Sequence, residues 1–274
     1  MNEQTKIRLI AVDMDGTLLG AQGEIPEENI VQLRRAMQKG AKLVLASGRM
    51  IESMLPTAEK LAVNAPIIAM NGGLIYDPME KRILSGTTIP CEIARRVAVA
   101  IESDGGYVQA FPGFNYYFEK RCAWTDYYAG KIHFEGIEAK KPISQWIQSD
   151  MYKLLYLGEA ENLTACAAKW QQHFPEVRFV RSAPCHLEIV AAEVSKAGAL
   201  RELGNMLNIS AEEMLAFGDE LNDLDMINYV GTGYIMQNAP EYVLKQAKRV
   251  CPSNLQAGVG KIVRLFVDED RLGD

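Results

Sequence analysis

Residues 7–18 decide how this chain folds: Ile7-Arg8-Leu9-Ile10-Ala11-Val12, then Asp13-Met14-Asp15-Gly16-Thr17-Leu18. The first six read as a buried strand, and two carboxylates stand where it ends. Ile30, Leu33 and Met37 recur at helical spacing, with Pro26 near the start of the helix and Gly40 just past its end. Leu43–Ala46 predicts a second strand, 50–62 a second helix, and Ile67–Met70 a third strand closed by Asn71-Gly72-Gly73. This βαβαβ rhythm implies a parallel sheet with right-handed crossovers.

The rhythm returns near the C-terminal end. Leu200, Leu203 and Leu207 mark a helix that starts near Ser195. Met214–Phe217 reads as a strand, a helix follows from about Asn222, Tyr234–Met236 is another strand, and 257–267 is a closing helix. The middle differs. Residues 83–190 hold 16 of the 22 aromatics and all three histidines, with half-alternating runs such as Tyr152–Leu157 and Val177–Val180. We expect an α+β module inserted into an α/β, Rossmann-like parallel-sheet core, which runs over 1–82 and 191–274.

Composition excludes several classes. At 48% apolar and 23% charged, the 274 residues are ordinary for a globular chain, so disorder and coiled coil are poor descriptions. A net charge of −6 argues against nucleic acid or an anionic membrane as the main partner. No apolar run approaches the ~18–20 residues of a membrane helix. Arg8 interrupts the first apolar run, so no signal peptide is expected. Cys91, Cys122, Cys166, Cys185 and Cys251 are scattered and form no CxxC pair, which fits reduced thiols in a cytoplasmic protein.

In an open parallel sheet, reactive groups lie beyond the carboxyl ends of the strands. Four polar clusters follow there: Asp13-Met14-Asp15, Ser47-Gly48-Arg49, Lys196 at a helix start, and Gly218-Asp219-Glu220-Leu221-Asn222-Asp223. Asp13, Asp15 and Asp219, with Asp223 close by, would repel one another unless a hard cation such as Mg²⁺ joined them. Ser47, nearby backbone N–H groups and Lys196 suit a phosphoryl group. Asp13 is best placed as nucleophile, and Asp15 as the proton donor and later acceptor. All three histidines, His133, His173 and His186, lie in the insert, which disfavours a Ser-His-Asp hydrolase on the core sheet. Each cluster alone is an ordinary turn or N-cap; the set, in one order on one edge, is far more specific.

These motifs resemble those of the haloacid dehalogenase superfamily, and the large insert resembles its C2-type cap. Asn71-Gly72 and Met236…Asn238-Ala239 add a similarity to the Cof-like branch of metabolite phosphatases. The resemblance implies Asp13 as nucleophile and Mg²⁺ ligand, and Asp15 as acid/base with its carbonyl on the metal. It implies Asp219 as a direct ligand and Asp223 as support through water. Ser47, Lys196 and Asn222, with the backbone of Met14 and Gly48, would hold the phosphate. Ala197, Gln237 and Gln256 depart from the family's pattern.

Substrate contacts are expected at Arg49, Asn71 and Glu188. Arg49 either binds a second substrate charge or pairs with a core carboxylate. His186, Arg181, Tyr116 and Tyr117 are further cap positions to consider, although most cap aromatics must pack the cap's own core. Cys185 beside His186 is no thiol–imidazole pair, since strand neighbours point to opposite faces. The expected activity is a Mg²⁺-dependent phosphatase for a small phosphorylated metabolite. The rivals are a sugar phosphomutase, a non-catalytic phospho-Asp regulatory protein, and a DxD glycosyltransferase that would leave Lys196 and Asp219–Asp223 unexplained. Oligomeric state is not legible.

Overall fold

The computed structural model describes residues 5–273. The first stretch runs β1 (Leu9–Val12), α1 (Glu27–Gln38), β2 (Lys42–Leu45), α2 (Ile51–Leu61), β3 (Ile67–Ala69), β4 (Leu74–Asp77) and β5 (Arg82–Gly86). The middle runs α3 (Cys91–Ser103), β6 (Tyr107–Phe111), β7 (Tyr117–Phe118), α4 (Ala123–Ile132), β8 (Ile137–Glu138), α5 (Ile143–Trp146), β9 (Lys153–Leu157), α6 (Ala160–Gln171), β10 (Val177–Ala183) and β11 (His186–Ala191). The chain then returns through α7 (Lys196–Leu207), β12 (Met214–Gly218), α8 (Leu224–Tyr229), β13 (Thr232–Met236), α9 (Glu241–Leu244), β14 (Val250–Cys251) and α10 (Gly258–Asp268).

The core is a parallel sheet of order β14-β13-β12-β1-β2. β1 and β12 lie side by side at its centre and are buried on both faces, which is why their sequences are unbroken apolar runs. Leu33 of α1 packs with Val263 and Phe266 of α10 in one layer; Leu200 and Leu203 of α7 pack with Met226 of α8 in the other. The chain is therefore α/β, with helices on both faces of a parallel sheet.

The third strand departs from the simple rhythm. β3 touches the parallel sheet through a single bridge, Ala46 to Ile68, and pairs antiparallel with β4, which pairs with β5. It ends at Ala69 because Met70 and Asn71 take left-handed backbone angles (φ 52° and 59°), which no strand accommodates. Residue 83, the expected start of the insert, lies inside β5 and so in this hairpin sheet. The helix expected from Asn222 begins as a tight 3₁₀ turn, Leu221–Asp223, and becomes α8 at Leu224.

The middle segment builds a six-stranded sheet of order β10-β11-β9-β6-β7-β8, antiparallel except for β7–β8. Its faces separate by period two. Leu154, Tyr156, Leu187 and Ile189 pack with Val97 and Ile101 of α3 and Leu163 and Trp170 of α6. Phe111, Leu155 and Leu157 instead join the core's own apolar cluster, together with Tyr128 and Ile132 of α4. The second face is thus turned towards the parallel sheet, and it carries Lys153, His186 and Glu188 in register with those residues.

Candidate active site

The chain leaves β1 through one wide turn, in which the Leu18 N–H bonds the Asp13 carbonyl and the Leu19 N–H that of Met14. Gly16 makes the turn possible. Its φ is +79°, and a Cβ there would lie 2.2 Å from Asp219 Oδ2. Asp13 and Asp15 consequently open onto one cavity, although the strand ends at Val12, before both.

The Ser47-Gly48-Arg49 turn after β2 is clasped by the end of β3. The Ser47 N–H bonds the Ile68 carbonyl, Met70 N–H that of Arg49, and Asn71 N–H that of Ser47. Gly72 (φ +99°) then lets this turn approach the start of α7, since a Cβ would meet the Ser195 carbonyl at 2.1 Å. Ser195 caps α7 by accepting from the Gly198 N–H, which sets Lys196 in the first turn, wholly buried. Its Nζ donates to Asp13 Oδ1 at 2.6 Å and to Asp223 Oδ1 at 2.5 Å. Asp223 Oδ2 accepts from the Asp219 and Glu220 N–H groups, and Thr17 Oγ1 donates to Asp219 Oδ1 at 2.8 Å.

Carboxylate oxygens of Asp13, Asp219 and Asp223 lie within 4.8 Å of one another. Asp15 is outside this group. Burial, together with Asp223 and Asp15, pushes the Asp13 carboxyl up to about 7 against the pull of Lys196. Burial, Asp13 and Asp223 push Asp219 up to about 9. Three buried carboxylates against one ammonium are short of positive charge, and an all-oxygen donor set suits a hard divalent cation. The residues present fit such an ion.

Asp15 is held differently. Burial raises its carboxyl, but Arg49 overcomes this and lowers it, through a two-pronged contact of Nε and a terminal nitrogen at 2.7 Å each. Arg49 therefore pairs with a core carboxylate. Asn71 Nδ2 donates to Glu188 Oε2 at 2.6 Å, and its Oδ1 accepts from Asn222 Nδ2 at 3.0 Å. Glu188 also accepts from Ser182 Oγ at 2.7 Å and pairs with Lys153 Nζ at 3.0 Å. Three donors thus hold the carboxylate expected to read substrate.

The cavity is lined by Asp13, Asp15, Ser47, Gly48, Arg49, Asn222 and Asp223 from the core. From the other side come Tyr128, Lys131, Ser182, His186 and Glu188. At about 40 Å³ it has room for roughly three waters. A wider opening of about 500 Å³ adjoins it at Asp15, Arg49, Lys131 and Ser182.

Other cap positions named from sequence lie elsewhere. Tyr116 is fully buried, stacked on Phe111 (5.5 Å) and edge-on to Tyr128 (5.2 Å). Tyr117 stacks on Trp146 at 4.0 Å. Arg181 donates to the Ala160 and Pro184 carbonyls and to Thr164. Cys185 lies in the turn before β11, not on the strand, and its thiol donates to the Tyr127 hydroxyl.

Sequence reasoning missed several supports. Lys153 Nζ donates to the Gly48 carbonyl at 2.6 Å. Its signal was a lysine inside the apolar run Met151–Leu157, where only a paired charge is tolerated. Asn238 donates to the Gly16 carbonyl and accepts from the Asn254 N–H, while Asn254 Nδ2 reaches the Leu19 carbonyl. The first turn is thus braced by two late asparagines next to the departures at Gln237 and Gln256. Gln256 itself bonds the Ser253 N–H, and Ala197 is buried within α7.

A haloacid dehalogenase-like hydrolase profile matches residues 10–263. Phosphatase YwpJ of Bacillus subtilis (strain 168) is 28% identical over 94% of this chain and 99% of its own length. The 5-amino-6-(5-phospho-D-ribitylamino)uracil phosphatase YcsE of the same organism is 28% identical over 97% of this chain and 98% of its own. A crystal structure of a haloacid dehalogenase-like hydrolase from Bacteroides thetaiotaomicron superposes with a TM-score of 0.84 at 28% identity, covering 95% of this chain and 99% of that one. Among the described residues no helix is long and apolar enough to cross a membrane. With three motif clusters lining one cavity, Lys196 bonded to two of its carboxylates and a family match along nearly the whole chain, the protein belongs to the haloacid dehalogenase-like hydrolases and is a phosphatase of that family.

Proposed function

We propose that the protein is a Mg²⁺-dependent phosphatase that removes the phosphoryl group of a small phosphorylated metabolite, a sugar phosphate or similar monoester, through an aspartyl phosphate. The observation that carries this is the contact of Lys196 with both Asp13 and Asp223 beside the turn that presents Ser47. Asp13, Ser47 and Asn222 line one small cavity, and the buried Lys196 ammonium is bonded to two of its carboxylates.

In the first step an Asp13 oxygen forms a bond to phosphorus while the ester oxygen leaves and takes the proton of Asp15. In the second, Asp15, now ionised, accepts a proton from water as its oxygen attacks phosphorus; inorganic phosphate leaves and Asp13 is regenerated. Lys196, Ser47, Asn222 and the backbone N–H groups at Met14 and Gly48 hold the phosphoryl oxygens. Asp13, Asp219 and Asp223, with the Asp15 carbonyl, would hold Mg²⁺, which when bound offsets charge on the phosphoryl group. Proton donation requires Asp15 to leave the Arg49 fork, so Arg49 turns to substrate as Asp15 takes up its proton.

The segment from α3 to β11 acts as a cap in this reading. The six-stranded sheet covers the inner cavity, excludes water from it and selects the leaving group. YcsE, a relative of similar length, is named for a phosphorylated ribitylamino compound, which is in keeping with a polyol substrate here. All five cysteines are free thiols, in keeping with a cytoplasmic site of action.

The test is phosphate release from sugar phosphates, FMN, pyridoxal phosphate and p-nitrophenyl phosphate, with and without Mg²⁺, beside Asp13→Asn. Turnover that needs Mg²⁺ and is lost in Asp13→Asn is the expected result. Turnover surviving in Asp13→Asn would remove the aspartyl-phosphate route, and net transfer between two sugar phosphates would favour a mutase.

A further inference from the structure

His186 opens β11 and shares a face with Glu188, two residues on. That face lines the same cavity as Asp13 and Asp15. The imidazole is 3% exposed, and its Nε2 is buried with no hydrogen-bond partner. Its orientation is fixed by the rings of Tyr127 and Tyr128, each edge-on with centroids 5.8 Å away. Its neighbours on that face are committed to one another: Glu188 to Lys153, Asn71 and Ser182. A buried polar atom without a partner is rare in a folded protein and calls for an explanation.

Resting on the phosphatase reading, we infer that His186 is a specificity-determining residue whose Nε2 hydrogen-bonds a hydroxyl of the leaving group. Three observations select that chemistry. His186 lines from the cap the cavity that Ser47 and Asn222 line from the core, and the alcohol part of a monoester held by those two residues lies towards the cap. Burial, with Lys131, Lys153 and Arg181 nearby, keeps the ring neutral against the opposing pull of Asp15. A neutral imidazole nitrogen either donates or accepts according to tautomer, and a hydroxyl satisfies both. A carboxylate accepts only, and an ammonium donates only. A site built to bond a hydroxyl discriminates strongly against compounds that lack one, because its own polar atom is then left unpaired.

The experiment compares kcat/KM on D-ribose 5-phosphate and D-glucose 6-phosphate with that on p-nitrophenyl phosphate, which has no hydroxyl. The parent enzyme, His186→Phe and His186→Gln are measured with Mg²⁺. His186→Phe keeps a ring but removes the bond, and should lower kcat/KM on the better sugar phosphate about 10–100-fold while changing p-nitrophenyl phosphate less than about threefold. His186→Gln keeps a donor and an acceptor and should recover part of the loss on the sugar alone. Equal losses on both substrate types, or no loss on either, would overturn the inference, as would a parent enzyme that turns over p-nitrophenyl phosphate but neither sugar phosphate. A parent enzyme that hydrolyses none of the three would overturn the phosphatase reading itself, and the inference with it.

Discussion

Lys153 offers the sharpest test of how the cap sheet is tied to the core. Its ammonium lies 3.0 Å from Glu188 Oε2, 2.6 Å from the Gly48 carbonyl oxygen and 4.4 Å from the centre of the Phe111 ring. Both charged side chains are almost wholly buried. Burial pulls the lysine pKa down, and Glu188 opposes it. At 3.0 Å the attraction is about 5 kcal/mol with an effective dielectric near 20, and desolvation offsets most of that. The penalty for breaking the pair is therefore not the attraction but the lone carboxylate left behind, about 3–5 kcal/mol. Asn71 and Ser182 still hold Glu188, which places Lys153→Met near the lower end, about 3 kcal/mol. At about 2–4 °C per kcal/mol, Tm should fall by roughly 6–12 °C. Lys153→Met with Glu188→Gln removes both charges, and the glutamine oxygen still accepts from Asn71. The double variant should be more stable than Lys153→Met alone, by about 2 kcal/mol. Thermal unfolding at pH 7 measures this. A double variant as unstable as Lys153→Met, or less stable, would refute the buried-pair argument.

Three more outcomes follow from the site. Asp13 and Asp219 titrate near 7 and 9 in the folded protein and near the usual 3.8 when unfolded, so the fold holds extra protons between those values. Metal-free protein should lose stability as pH rises from about 4 to 9, and Mg²⁺ should raise Tm more at pH 8 than at pH 5; a Tm that climbed with pH in metal-free buffer would contradict the assignment. Arg49→Met frees Asp15 from the contact that lowers its pKa, so the protonated acid persists to higher pH and the alkaline limb of kcat/KM should move upward; an unmoved limb would remove Asp15 as the proton donor. Gly16→Ala places a methyl against Asp219 at a left-handed position and should cost at least about 1–2 kcal/mol and weaken Mg²⁺ binding, read as a smaller Mg²⁺-induced rise in Tm.

Much of this is legible in the sequence. The strand–carboxylate junction at Val12–Asp13, the Ser47 turn, the cap at Ser195 and the Gly218–Asp223 run are local features. Apolar runs and turn residues over a dozen positions specify them, and the parallel sheet then gathers their ends. Arg49 illustrates the limit. The sequence left it between a substrate charge and an unspecified core carboxylate, and the choice depends on where Asp15 points after a turn that Gly16 alone permits. The third strand was read as a plain member of the sheet because Ile67–Ala69 has the right composition; the left-handed angles at Met70 and Asn71 that end it come from tertiary packing.

The sequence by itself determined the elements and the chemistry at their ends, because burial on both faces of β1 and β12 and the need to offset clustered carboxylates act through residues close in the chain. Tertiary structure alone decided which cap residues face the nucleophile. His186, Glu188 and Lys153 come from strands that pair across the six-stranded sheet, and whether a given strand face meets the core or the helices α3 and α6 depends on register, which a single residue of slip would invert.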